Sequence, residues 1–402
     1  MNINQKLKIK LDEIATSLLN QNFEEFDIGL LSGTSGIALF HFYYGRMTNN
    51  EKHIDQGARL ISDVFDKINK GYTYPTYCSG VAGACWTLEF LKEQKFIDLE
   101  NDILSEELDY YLFAQMKDDI SKKNYDYLHG AIGYGLYFFK RFNNVSSNVL
   151  KERYKGYLDK LLSFLDDSSI KIDGYAFWET ENIIGDARFN GRNLGLSHGI
   201  PSIMYFLAKL VSVNLFTQRA KSLLKLSTKY LLLCRHNNPK FTSTFPNWIT
   251  DQGNSFNSSL RWCYGDLGLG IALLYVSDIL RDNNLKRETI DILKKTTLRM
   301  DIQEAGVKDA CFCHGSYGIM HIYNSIFIKT GDLVFQRASK FWADISLDFA
   351  NHENGFAGYK TLYNNSWESE PSLLEGISGM GLSIISYLYK NEMTWDEPLL
   401  MR

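Results

Sequence analysis

A glycine motif recurs seven times along this chain, and it restricts the fold more than any other feature of the sequence. Each copy reads as a small or polar residue, a glycine, two further residues, usually a second glycine, and then an apolar stretch with helical character. The pairs are Gly33 and Gly36, Gly80 and Gly83, Gly130 and Gly133, Gly265 and Gly268, Gly315 and Gly318, and Gly376 and Gly379; the fourth copy has Gly199, with Ser202 in place of the second glycine. Successive first glycines lie 47, 50, 69, 66, 50 and 61 residues apart. That is room for a helical hairpin plus a variable loop, the spacing of a repeat array. Glycines placed this way let backbones approach closely, so function must be sought in the residues beside them.

Segments between the motifs are amphipathic, as in Leu60, Ile61, Val64, Phe65 and Ile68, or Leu150, Tyr154, Leu158, Leu161 and Leu165, the pattern of helices with one face in water. Segments after the glycines, such as Gly36 to Tyr44 and Gly268 to Val276, are apolar nearly all round, the pattern of helices buried on every side. Seven inner and seven outer helices therefore alternate, which predicts an all-α double ring with every glycine turn opening at the same end. The intervals 150–198 and 217–262 carry the least helical text. Lys171 to Asn193 is rich in Gly, Asp, Asn and aromatic residues, which leaves room for a small β-containing excursion inserted around 168–193. No convincing linker interrupts the chain, so one domain over 1–402 is expected.

Composition narrows the function. Hydrophobic residues are 45% and charged residues 22% of the 402, the balance of an ordinary globular protein with ample core material. A net charge of -4 without a long basic run argues against nucleic acid as partner, because neutralising phosphates needs clustered Lys and Arg. Leu7, Leu11, Ile14 and Leu18 share one face of an N-terminal helix with charged residues between them, which is unlike a signal peptide. No run approaches the about 18 apolar residues of a membrane span. The expectation is a protein without an integral membrane segment, in the cytoplasm. Six cysteines are too sparse for a disulfide scaffold and are expected as thiols.

Three residues beside the glycines are good soft-metal ligands: Cys263 ahead of Tyr264-Gly265, and the pair Cys313-His314 ahead of Gly315. They occupy equivalent places in consecutive repeats, so a closed ring would bring them to one ion. Two thiolates and an imidazole suit Zn²⁺, and three protein ligands leave the fourth position open, as catalytic zinc requires. Two other interpretations stand beside this one. The three could be buried thiols and a core histidine, or Cys311 could complete a closed structural Cys₃His site.

Trp262-Cys263-Tyr264-Gly265, Cys313-His314-Gly315 and Ser197-His198-Gly199-Ile200, in this order and at these separations, resemble the lanthionine synthetase C-like cyclases over nearly the whole chain. The resemblance implies an α/α toroid of seven inner and seven outer helices, with zinc held by Cys263, Cys313 and His314. The implied activity is intramolecular addition of cysteine thiols to dehydroalanine or dehydrobutyrine in a dehydrated lanthipeptide precursor, the metal activating the thiol. It also transfers catalytic positions to His198, to Asp126 within Tyr125-Asp126-Tyr127, and to Tyr264. One position departs from the pattern: the family carries an arginine four residues before the first zinc cysteine, where this chain has Ser259, and the nearest candidate is Arg261.

The chemistry needs such groups. A free thiol, with a pKa of about 8.5, is mostly protonated at neutral pH. Addition to the dehydrated residue builds an enolate that must be protonated at the α-carbon, a task suited to a histidine. His198 is the candidate, with Asp126 orienting it or balancing charge. The implied partners are the dehydrated precursor peptide, a lanthipeptide dehydratase and an exporter, with peripheral membrane association through that complex. Two alternatives remain: glutathione addition to dehydrated protein residues, and a non-catalytic peptide-binding assembly factor with vestigial zinc.

Overall fold

A computed structural model describes residues 1–98, 104–184, 187–238, 240–251, 253–254, 257–389 and 393–402. Seven of its helices begin at the seven glycine motifs: Thr34–Thr48, Val81–Glu93, Ala131–Asn144, Ile200–Ser212, Gly265–Leu280, Ser316–Thr330 and Ile377–Tyr389. They alternate with Ile3–Leu19, Glu51–Asn69, Glu106–Ser121, Asn148–Ser168, Thr217–Leu233, Asn283–Thr296 and Leu333–Asp348. Burial follows the sequence pattern. Every residue from Thr34 to Gly45 and from Val81 to Leu91 is buried, whereas Glu51–Asn69 buries only one stripe, including Leu60, Ile61 and Val64.

The glycines have a concrete steric cause. A Cβ built on Gly36, Gly83, Gly268, Gly318 or Gly379 would meet the carbonyl oxygen six residues upstream at 2.2, 2.0, 1.9, 1.9 and 1.9 Å respectively. No side chain fits there. The loop that creates this approach is itself repeated. Six residues before the first glycine, the side chains of Asn124, Asn193, Asp309 and Glu370 accept the N–H two residues further on, at 3.2, 2.8, 3.0 and 3.0 Å. The N–H just after the glycine then returns to the carbonyl at that same upstream position, as from Ala131 to Asn124 at 3.1 Å and from Ser316 to Asp309 at 3.1 Å. Short polar side chains favour this local bonding over helix, so the turn holds its shape before any helix packs on it.

The chain divides into two compact units. One comprises Met1–Lys117, Leu136–Tyr154 and Lys308–Trp395. In it the N-terminal helix Ile3–Leu19 packs on Ile377–Tyr389, which in turn packs on Thr34–Thr48 and Ser316–Thr330. The other comprises Asp118–Gly135, Lys155–Val307 and Asp396–Arg402. There Gly265–Leu280 packs on Ile200–Ser212 and on Asn283–Thr296.

The second unit also holds the β-containing excursion. Ile170–Ile172 pairs with Tyr175–Phe177, and Thr180–Ile184, Ala187–Asn193, Trp248–Thr250 and Gly253–Asn254 form one antiparallel sheet. Gly185 and Asp186, inside the expected insertion, lie outside the described residues. The sheet reaches beyond that interval, because Asn193 pairs with Trp248. The C-terminal residues are tied into this unit: Trp262 Nε1 donates to the Leu399 carbonyl at 2.8 Å, and the Tyr127 hydroxyl donates to that of Pro398.

Candidate functional site

Each unit carries a cluster of chemistry-bearing side chains on its glycine turns. In the second unit His198 occupies the residue before Gly199. Its Nδ1 lies 2.6 Å from Asp126 Oδ2, and Asp126 Oδ1 accepts the N–H of His129 at 2.8 Å. Burial alone would push the His198 pKa down, but the hydrogen bond and charge of Asp126, with the charge of Cys263, outweigh it and hold the imidazole above its ordinary value. Asp126 shows the converse: burial would raise its carboxyl, yet its bonds to His198 and His129 keep it lowered. The pair is thus biased toward imidazolium and carboxylate.

Neighbouring groups fix this pair from one side. The Tyr264 ring centroid is 6.2 Å from that of His198, and Asn193 Nδ2 donates to the Tyr264 hydroxyl at 3.1 Å. The Ser197 N–H reaches the Cys263 carbonyl at 3.3 Å, which ties the histidine turn to the cysteine turn. Gly195 has to be glycine, since a Cβ there would stand 2.5 Å from the Tyr264 ring. Arg261 points elsewhere. Its Nη2 donates to Ser259 Oγ at 2.6 Å, and its Nε is buried with no hydrogen-bond partner among the described residues. Asp126, His198 and Tyr264 open into a groove of about 1200 Å³ within this unit, shared with Asn193, Trp178 and Trp248.

In the first unit the cluster is metal-like. Cys313 Sγ, a His314 ring nitrogen and a Glu375 carboxylate oxygen all lie within 4.8 Å of one another, and a second such set joins His314 to Asp309 and Cys311. Cys313 is held by its N–H, which donates to the Leu374 carbonyl at 2.9 Å. His314 turns its Nε2 to Asp309 Oδ2 at 3.2 Å and its Nδ1 toward Glu375 Oε1 at 4.0 Å. Sulfur, imidazole and carboxylate together form a donor set that fits a borderline-soft divalent ion. Cys263, the remaining expected ligand, is a buried residue of the second unit. Burial pushes the Cys311 thiol well above its ordinary pKa, and its sulfur accepts the His314 N–H at 3.5 Å. The six cysteines form no disulfide among the described residues.

Glu375 and Asp309 are absent from the expectations drawn from sequence, though signals for both were present. Glu375 fills the position immediately before a first glycine, the same slot that holds His129, His198, Tyr264 and His314. Asp309 fills the turn-acceptor slot six residues before Gly315, equivalent to Asn124 and Asn193. Asn193 shares that slot, whereas Gly195 carried no such mark.

Fold and clusters together define a class: a helical repeat protein whose glycine turns present a histidine-carboxylate pair and a thiol-imidazole set. The family model for lanthionine synthetase C-like proteins matches residues 24–400, and the chain belongs to that family. No curated protein sequence matches it. Among solved structures it is similar to the nisin cyclase, with a TM-score of 0.74 at 18% identity, covering 100% of this chain and 98% of that one. The likeness gives the fold, an α/α toroid. A sugar epimerase from a ruminal bacterium (TM-score 0.48, 9% identity, 98% and 100% covered) and a GH76 α-mannanase from Bacteroides thetaiotaomicron (0.45, 11%, 97% and 96%) are more distant. No described helix is long and apolar enough to cross a membrane.

Proposed function

We propose that this chain is a zinc-dependent lanthionine cyclase, closing thioether rings in a dehydrated lanthipeptide precursor. The observation that carries the proposal is the His198–Asp126 pair, joined at 2.6 Å and facing a groove of about 1200 Å³. A groove of this size accepts a peptide segment rather than a single side chain. Cys263, Cys313 and His314 would hold the zinc. Its chemistry, when bound, is to keep the substrate's cysteine thiol deprotonated.

The chain's own residues do the rest. With Nδ1 engaged by Asp126, His198 keeps Nε2 for the reactant, and its raised pKa keeps that nitrogen protonated closer to neutral pH. As the sulfur–carbon bond forms at the β-carbon, the C=C π pair moves toward the α-carbon and collects the proton from His198 Nε2. Asp126 remains a carboxylate and holds the resulting neutral ring in place. Tyr264, anchored by Asn193, flanks this transfer. The product is an isomer of the substrate, which defines the test. Incubation with the dehydrated precursor should protect its cysteines from alkylation at unchanged peptide mass. Formation of glutathione adducts alone, each adding mass, would replace this reading with glutathione transfer. A cytoplasmic location, a dehydratase and an exporter belong to the same proposal.

A further inference from the structure

Asp309 repeats a feature found elsewhere in the molecule and then exceeds it. In the third and fourth repeats the equivalent residues are Asn124 and Asn193, whose side-chain oxygens accept the N–H two residues on at 3.2 and 2.8 Å. Asp309 Oδ1 makes the same bond to the Cys311 N–H at 3.0 Å. An amide therefore suffices for the turn. What the carboxylate adds is a second acceptor oxygen. Oδ2 takes the Leu362 N–H at 3.0 Å and stands 3.2 Å from His314 Nε2. The Asp309 side chain is fully buried, and both oxygens are fixed by backbone donors. A carboxylate fixed this way sets the position of its partner. The Leu362 donor belongs to the Thr361–Tyr363 hairpin strand, which is itself tied to the next glycine turn because the Thr361 hydroxyl donates to the Glu375 carbonyl at 2.5 Å.

From this we infer that Asp309 is the positioning residue of the metal site: it binds Nε2–H of His314, so that Nδ1 is the nitrogen presented to the ion beside Cys313. The inference rests on the zinc site of the proposed function. It adds which His314 nitrogen is the ligand, and why the turn carries an aspartate where two others carry asparagine. Carboxylate partners of metal-bound imidazoles fix ring orientation and tautomer and raise ligand basicity, and their loss typically weakens metal affinity by roughly 10- to 100-fold.

The test uses the full-length chain and two measurements. In the first, zinc affinity is measured by competition with a chromophoric chelator for the wild type and Asp309→Asn, alongside the melting temperature of each metal-free protein. The expected result is an affinity about 10- to 100-fold weaker with a metal-free melting temperature lowered only slightly, since asparagine serves the same turn bond twice in this chain and only the Leu362 N–H loses its acceptor. Equal affinities overturn the inference, and so does a metal-free melting temperature lowered in proportion to the affinity, which would make Asp309 a purely structural residue. The second measurement needs no variant. Long-range ¹H–¹⁵N spectra of the zinc-loaded wild type with labelled histidine should show His314 protonated at Nε2 and metal-bound at Nδ1. The opposite tautomer overturns the inference even if Asp309→Asn does not fold. A wild type that binds no zinc removes the metal site itself, an outcome distinct from both.

Discussion

Replacing His198 with asparagine removes one capacity and leaves its surroundings in place. The asparagine amide can still donate to Asp126, whose Oδ2 lies 2.6 Å from the histidine Nδ1, but nothing remains at the position of Nε2 to carry a proton. His198 is about a third exposed, so solvent screening keeps the stability cost of altering this pair below about 1 kcal/mol. The loss should therefore fall on the chemical step. Removing a general acid lowers rates by roughly 10²- to 10⁴-fold, or about 3 to 5 kcal/mol of transition-state stabilisation. The assay follows a dehydrated precursor over time, quenching aliquots with an alkylating reagent and counting protected thiols by mass, with zinc content measured on the same preparation. The expected protein is zinc-loaded and slow. A zinc-free variant would make His198 a ligand, and a zinc-loaded, fully active one would remove it from proton transfer.

Elemental analysis should find about one zinc per chain, and Cys263→Ala or Cys313→Ala should lose most of it while keeping wild-type helical circular dichroism; collapse of the helical signal would indicate a structural ion instead. Gly318→Ala should destabilise by about 1 to 3 kcal/mol, because the new Cβ meets the Phe312 carbonyl at 1.9 Å. Gly156→Ala, on a helix where that Cβ meets nothing within 4 Å, should stabilise by about 0.5 to 1 kcal/mol, and thermal melts that failed to separate the two would refute the steric argument. A third effect is acid sensitivity of the first unit, where His41 and His53 are buried with Nδ1 atoms 2.8 Å apart. Burial lowers their pKa values from 6.5 to about 3 and about 4, helped at His41 by the charges of His53 and Arg59. The unfolded chain then binds more protons, so stability is complete above pH 6.5 and is lost as pH falls from there toward about 4. The melting temperature of a His41→Phe, His53→Leu variant should fall less between pH 7.5 and 5 than that of the wild type.

The alternation of helices could be read from sequence because it depends on local period and on glycines whose spacing is unmistakable. The residues at the site were readable only in part, for a physical reason. Cys263, Cys313 and His314 stood out because two thiols and an imidazole at equivalent places in consecutive repeats make a soft-metal donor set, and His198 and Asp126 because family motifs pointed to them. Asp309 and Glu370 share a slot six residues before a first glycine, but their role as turn acceptors exists only once the loop closes and the N–H two residues on comes within 3.0 Å. Gly195 is one of 30 glycines, and only the Tyr264 ring beside it shows that it is required. Arg261 was chosen for proximity in sequence to a missing family arginine, and the fold directs it at Ser259, the residue standing in that arginine's place.

The packing of Ile3–Leu19 on Ile377–Tyr389 sets a schedule for synthesis. These helices are separated by about 360 residues, so at roughly 5 to 20 residues per second the first helix leaves the ribosome some 20 to 70 s before its partner exists. Thr34–Thr48 is covered early on one side by Glu51–Asn69, but its side facing that last helix waits equally long, including Phe40, which lies beside Gly381 and is fully buried in the finished protein. The faces of these two helices that pack on Ile377–Tyr389 are therefore uncovered during most of translation. Fragments ending before Ile377 should bind a hydrophobic dye and aggregate where the 402-residue chain does neither, because the helix that covers Ile3–Leu19 is made about 360 residues after it.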